Sequence, residues 1–159
     1  MLGALLQKGE KSYSYLKPIF SSIKNVQTSY NWLITDCQCH PRTDSFYNRL
    51  FYNREYCWLS GEELTAMVEK EDFQWVWAVL SGFDKSISLK EVLNYELPYA
   101  DEYTGFWKNP ITIQHPLADV EIVPWDSSLT LVISKNHSIV NDFRKAFPLS
   151  ESLEEYNAE

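Results

Sequence analysis

The chain has 159 residues, 45% of them apolar and 15% aromatic, so one core can form without disulfides or metals, and disorder is excluded for most of its length. Its 14 lysines and arginines against 22 aspartates and glutamates leave a formal charge of −8, which argues against nucleic acid or an anionic membrane as the partner. The acidity is uneven: residues 1–80 carry 8 basic and 9 acidic side chains and residues 81–159 carry 6 and 13, so an acidic face or tail belongs to the second half.

The N-terminal run Met-Leu-Gly-Ala-Leu-Leu is too short and lacks the basic residues of a secretion signal; it reads as a helix start or an expression remnant. Residues 11–24 predict a helix, because Tyr13, Leu16, Phe20 and Ile23 recur at offsets of three, four and three, with Pro18 early in it or dividing it. Residues 28–39 predict a strand with Leu33, Thr35, Cys37 and Cys39 on one face and Trp32, Ile34 and Asp36 on the other. An aromatic and basic stretch, 46–59, ends in a strand at 55–59. Ser60 and Glu63 form a capping box for a helix reaching about Lys70, with Leu64, Met67 and Val68 inward. Residues 75–80 are wholly apolar, the pattern of a central strand covered on both faces.

A second capping box, Ser88 with Glu91, opens a short helix. Residues 95–110 predict a long loop, followed by strands at 111–114, 119–123 and 129–134, the last two joined as a hairpin through Trp125-Asp126-Ser127-Ser128. Asn136 caps a final helix with Ile139, Val140, Phe143 and Phe147 on one face, and residues 149–159 form an acidic tail, mobile unless docked. Together these elements predict a single α+β domain over 1–159, with a largely antiparallel sheet of four to six strands and three or four helices.

No phosphate-cradling glycine motif, zinc-protease motif or calcium loop is present. Cys37-x-Cys39-His40, with Cys57 further on and His115 as an optional fourth group, is the one cluster of metal-binding residue types; small buried core cysteines are the favoured explanation. Ser127 or Ser128 with Asp126 and His115 contains the residue types of a hydrolase triad, but without a nucleophile elbow it reads as turn chemistry. No cofactor or metal is expected. Three cysteines make no secreted disulfide framework, so the cytoplasm is the expected compartment.

The loop carries more information. Tyr95, Tyr99, Tyr103, Phe106 and Trp107 are interleaved with Glu96, Asp101 and Glu102, and Trp125-Asp126 repeats the pairing. Aromatics supply the buried centre of a docking patch and carboxylates orient a basic partner. The same rings would serve as a lid folded over the core. Both readings stand at this level.

The blocks Trp32-Leu-Ile-Thr-Asp-Cys37, Leu59-Ser-Gly-Glu-Glu-Leu64, Asp72-Phe-Gln-Trp-Val-Trp-Ala-Val-Leu-Ser-Gly-Phe83 and Pro124-Trp-Asp-Ser-Ser-Leu-Thr-Leu-Val-Ile-Ser134 resemble small single-domain bacterial proteins of unknown function. Many of those are read as immunity proteins of polymorphic-toxin systems. The resemblance implies a non-catalytic inhibitor that occludes the active site of a cognate toxin domain with a basic cleft. It carries over no catalytic residue. A small enzyme or metal-site protein using Cys37, Cys39 and His40, and a homo-oligomeric scaffold, are the alternatives.

Overall fold

A computed structural model describes residues 1–159. Seven strands form one sheet: β1 (Leu2–Leu6), β2 (Tyr30–Cys39), β3 (Tyr56–Ser60), β4 (Trp75–Asp84), β5 (Val120–Trp125), β6 (Leu129–Ser134) and β7 (Glu151–Ser152). Six α-helices accompany them: α1 (Leu16–Ser22), α2 (Asp44–Phe51), α3 (Gly61–Lys70), α4 (Leu89–Val92), α5 (His137–Ala146) and α6 (Leu153–Ala158). Single 3-10 turns lie at Val26–Ser29 and Gly105–Trp107. The strand order is β3-β2-β4-β5-β6-β1-β7, and every neighbouring pair is antiparallel. The fold is thus α+β on one antiparallel sheet, with more strands and helices than the sequence predicts.

Both faces of the sheet are buried, by different means. Trp32, Ile34, Ala78, Leu80, Ile122 and Val132 face a helical layer, where α1 contributes Leu16, Ile19 and Phe20, α2 Phe46 and Leu50, α3 Leu64 and Val68, and α5 Ile139, Val140 and Phe143. The alternate residues Leu33, Val79, Phe83, Val123, Leu131 and Ile133 face a second layer, made of the 85–118 segment and α6. That layer is mostly irregular chain, anchored by Val92, Ala100, Phe106, Ile111, Ile113, Ala118 and Leu153. Burial on both sides is why β4 carries no polar alternation from Trp75 to Leu80.

Several differences from the predicted elements have physical causes. Residues 2–6 are a strand rather than a helix start, inserted between β6 and β7; a short apolar run has the same pattern in either state. The helix expected from residue 11 begins at Leu16, which leaves Pro18 in the first turn, where its missing N–H has no intrahelical partner to lose. Helix α2 was not foreseen in the aromatic and basic stretch. The expected strand at 111–114 makes no ladder, although Ile111 and Ile113 are buried as strand-like alternation suggests. The tail is docked as β7 and α6: Gln7 donates to the Glu151 carboxylate, the Gly3 amide to Glu154, and Leu153 is fully buried.

Strand β2 also changes face near its end. Asp36 adopts φ 48°, and the β4 register shifts between Thr35 and Gln38 and again before Cys39. Such a bulge inserts unpaired residues and re-aims the side chains beyond it. Cys39 therefore packs with Trp32 and Ile34 in the helical layer, not with Leu33 and Thr35 as simple alternation predicts.

Of the two capping boxes, Ser88 and Glu91 make both reciprocal bonds. At α3 the Ser60 hydroxyl accepts the Glu63 amide, but the Glu63 carboxylate turns to Arg49 at 2.9 Å. Gly61, the first residue of α3, lies against the backbone carbonyls of Gln27 and Tyr30, where a Cβ would overlap both. Neither obstacle is a flexible side chain. Gly61→Ala is therefore expected to destabilise the fold by about 1–3 kcal/mol or more, as overpacking does. A denaturant midpoint equal to that of the wild type would contradict this account.

Candidate functional site

The second layer contains nearly all the residues the sequence singles out, and the geometry separates their roles. Phe106 is 1% exposed, Trp107 and Tyr103 are half-buried, and Tyr95 and Tyr99 are 42% and 48% exposed. The segment is a lid with an outward edge: Phe106 packs as core, while Tyr95 and Tyr99 face outward.

The rings form a continuous band. Tyr99 meets Tyr103 at 5.2 Å between centroids, Tyr103 meets Phe106 at 4.6 Å, and Phe106 meets Trp125 at 5.9 Å. Trp125 is the hub: Trp77 of β4 stands 4.7 Å from it and Trp107 5.2 Å, and Trp107 reaches Tyr156 of α6 at 5.8 Å. Most of these contacts are edge-to-face, the arrangement the ring quadrupoles favour. Tyr95 stands apart, packed on His115 at 5.1 Å. Trp77 and Tyr156 were not among the sequence candidates. Trp77 belongs to a run read as pure core, and Tyr156 to a tail with no periodicity of its own.

Polar side chains hold the lid down, because its irregular backbone needs partners that a ladder would otherwise supply. The Asp36 carboxylate, aimed by the bulge, accepts the amides of Ala100 at 2.9 Å and Asp101 at 3.0 Å. Gln114 pairs with both backbone groups of Tyr99, donating at 2.7 Å and accepting at 3.1 Å. His115 is 1% exposed; its Nε2 lies 2.9 Å from the Val92 carbonyl and its Nδ1 accepts the Leu117 amide. That pairing assigns the proton to Nε2, and burial pushes the imidazole pKa down, opposed by the Val92 bond. Both ring nitrogens are committed to backbone, so His115 works as a loop clamp and not as a base or ligand.

The outward edge is acidic and uncompensated. Glu96, Asp101, Glu102 and Asp126 are exposed, and none of them takes part in any of the ion pairs of the chain. Asp126 sits at φ 49° at the tip of the β5–β6 hairpin, whose Ser127 amide donates to the Val76 carbonyl, so this carboxylate is presented on a fixed turn.

The alternative cysteine site does not assemble. Cys37 and Cys39 bring their sulfurs to 3.2 Å, but His40 is exposed, and no three His, Cys, Asp or Glu side chains converge. The Cys37 thiol pKa is pushed up, first by its bond to Cys39 and then by burial, and burial raises that of Cys57 to about 11. Both shifts disfavour thiolate, the form that attacks or binds metal.

Beneath the lid lies a group the sequence reading passed over. Glu121 of β5 is fully buried between Ser81 of β4 and Ile133 of β6. One carboxyl oxygen accepts the Gln114 amide at 3.2 Å; the other has no partner, and neither have the hydroxyls of Ser81 and Thr35 on the same face. Its one visible signal was a charge inside the apolar stretch Val120–Pro124.

Residues 1–99 match a family model described as "Protein of unknown function (DUF2691)", and the chain belongs to that family. No curated protein and no solved structure matches the chain. The match ends within the lid; β5, β6 and β7, which complete the sheet, the last two on either side of β1, lie beyond it. No helix is long and apolar enough to cross a membrane.

Burial raises the Glu121 pKa from 4.5 to about 8. Between those values the unfolded chain has released a proton that the folded chain keeps. Stability contributed by this group therefore falls as pH rises through that window, by about 1.4 kcal/mol per unit, and levels off above it. Glu121→Gln removes the titration and keeps an acceptor for Gln114. Urea denaturation of both proteins across pH 5 to 9 should show a stability gap in favour of Glu121→Gln that widens up to about pH 8. A gap independent of pH would mean that Glu121 does not titrate in this way.

Proposed function

For this member of a family without an assigned activity, we propose a non-catalytic protein-binding module whose lid edge and β5–β6 hairpin dock a basic protein partner. The observation that carries the reading is the set of carboxylates Glu96, Asp101, Glu102 and Asp126, exposed around partly exposed aromatics and paired with no cation of the chain. Exposed charge of one sign steers an oppositely charged partner and fixes its register, while Tyr and Trp at the centre supply desolvated contact. A standard interface needs about 800 Å² per partner. The contact would form along the edge that runs from Tyr99 past the hairpin to α6. The resemblance to immunity proteins names the partner class: a toxin domain whose cleft is basic because its own target is anionic, occluded when the acidic edge enters it.

The proposal divides the aromatic residues by consequence. Phe106→Ala removes a buried ring and should cost about 3–5 kcal/mol of stability. Tyr99→Ala and Asp126→Lys touch the exposed edge and should stay within about 1 kcal/mol of the wild type. In co-expression with a candidate basic toxin domain, the wild-type protein should restore growth and co-purify stoichiometrically with the toxin. The double variant Asp101→Lys, Asp126→Lys should do neither, while retaining its melting temperature. Protection that survives this double charge reversal would overturn the acidic-edge reading.

A further inference from the structure

At the far end of the aromatic band, Trp107, Trp125, Leu129, Tyr156 and Asn157 enclose an open cleft of about 390 Å³. We propose that this cleft is an arginine-side-chain pocket, the anchor point of the basic partner, an inference that rests on the docking reading above.

Three independent features select a guanidinium. The first is the wall chemistry. Two indoles, crossed at 89° and 5.2 Å apart, and a phenol that is 37% exposed supply π-faces, and cations bind best over indole. The second is an unmatched acceptor. The Asn157 amide nitrogen is fixed by the carbonyls of Phe106 at 2.9 Å and Lys108 at 3.4 Å, so its oxygen is oriented away from them. That oxygen is buried and no group of the chain donates to it. The oxygen is covered, so a ligand reaches it only when the Asn157 side chain shifts, and the group that would then satisfy it bears N–H and is neither an anion nor a hydrocarbon. The third is the surrounding charge. Asp126 adjoins Trp125 in the hairpin and Glu155 precedes Tyr156, against the single cation Lys108 beside Trp107; none of the three is in an ion pair, so the neighbouring charge is net negative. Between the two natural cations, the planar and weakly hydrated guanidinium stacks on aromatic faces and still projects N–H groups edgewise, whereas an ammonium loses more hydration on entering.

The cleft also bridges three separate parts of the chain: the lid through Trp107, the hairpin through Trp125 and Leu129, and α6 through Tyr156 and Asn157. An arginine seated there would pin the lid to α6, reinforcing a junction otherwise made by the Asn157 and Asn109 side chains on backbone carbonyls.

The test uses the intact chain and three short peptides of Gly and Ser around one central residue: arginine, lysine or citrulline. The readout is the indole N–H resonances in nitrogen-15 spectra. The arginine peptide should shift the Trp107 and Trp125 signals saturably and leave the buried Trp32 and Trp75 signals unmoved. Lysine should bind more weakly, and citrulline, equal in shape but uncharged, should not bind. Asn157→Leu and Tyr156→Ala, both at the chain's last helix, should each weaken the arginine effect by roughly fivefold or more. Equal binding of citrulline, or shifts confined to other tryptophans, would overturn the pocket. So would shifts of the same indoles on raising protein concentration alone, which would make a second copy of the chain the occupant. Failure here is distinguishable from failure of the docking reading. A toxin domain that is still bound and neutralised by Tyr156→Ala and Asn157→Leu, but not after charge reversal at Asp101 and Asp126, removes the pocket and leaves the acidic edge. Arginine binding in the cleft with no basic protein ever retained does the reverse.

Discussion

Every other feature of this molecule depends on a sheet that must be buried on both faces. Strand β4 contributes Trp75, Ala78 and Leu80 to one layer and Trp77, Val79 and Phe83 to the other, so neither side can be left to water. Four amphipathic helices supply one cover, each with its own 3.6-residue stripe. The other cover is α6 and chain 85–118, the latter with only a four-residue helix and a single 3-10 turn in it. A cover with little regular structure lacks a stripe of its own, and it compensates with ring size. Tyr103, Phe106 and Trp107 fill the area that several aliphatic side chains on a helix would fill.

The same constraint explains the buried polar side chains. An irregular segment brings unpaired amides and carbonyls to the core, and each must find a partner. Asp36, Gln114 and His115 meet that need from three directions, each bonding backbone of the lid or its flanks. Glu121 does so at a larger penalty. It offers one oxygen to Gln114 and leaves the other unsatisfied in a site without a cation, which is why its proton is held so firmly.

Much of the fold is legible in residue order, and the illegible parts share a cause. The helices with clear stripes and caps, α3 and α5, and the long strands β2 and β4 are visible because local pattern and tertiary burial agree in them. Strand β1 and the β7–α6 tail are defined by distant neighbours: Leu2 lies opposite Ser134, Ala4 opposite Ser152, and Asn157 donates to the Phe106 carbonyl. No local window contains that information. The bulge at Asp36 defeats simple alternation for a related reason: its left-handed backbone is stabilised by a contact with the lid 64 residues on. In the site, residue types sufficed to mark the aromatic and acidic segment. They could not divide it into anchors and exposed rings, since Phe106 and Tyr99 differ in environment and not in sequence context.

Under the proposed docking reading, that division bears on how the acidic edge would discriminate among basic partners. Exposed carboxylates alone attract any cationic surface, and screening by salt weakens them over about 8 Å at physiological ionic strength. Selectivity needs an element of fixed shape within the attractive field. Here the hairpin turn at Asp126 and Ser127 is tied to β4, and Trp125 beneath it is wedged between Trp77, Phe106 and Trp107. The hub therefore cannot rearrange to suit a mismatched partner without disturbing the core of the second layer. In the proposed docking reading the carboxylates would supply long-range attraction and the packed rings the fixed shape. The candidate surface thus sets clustered carboxylates at 96–102 around clamped backbone and packed tryptophans at 107 and 125, with Asp126 beside the latter.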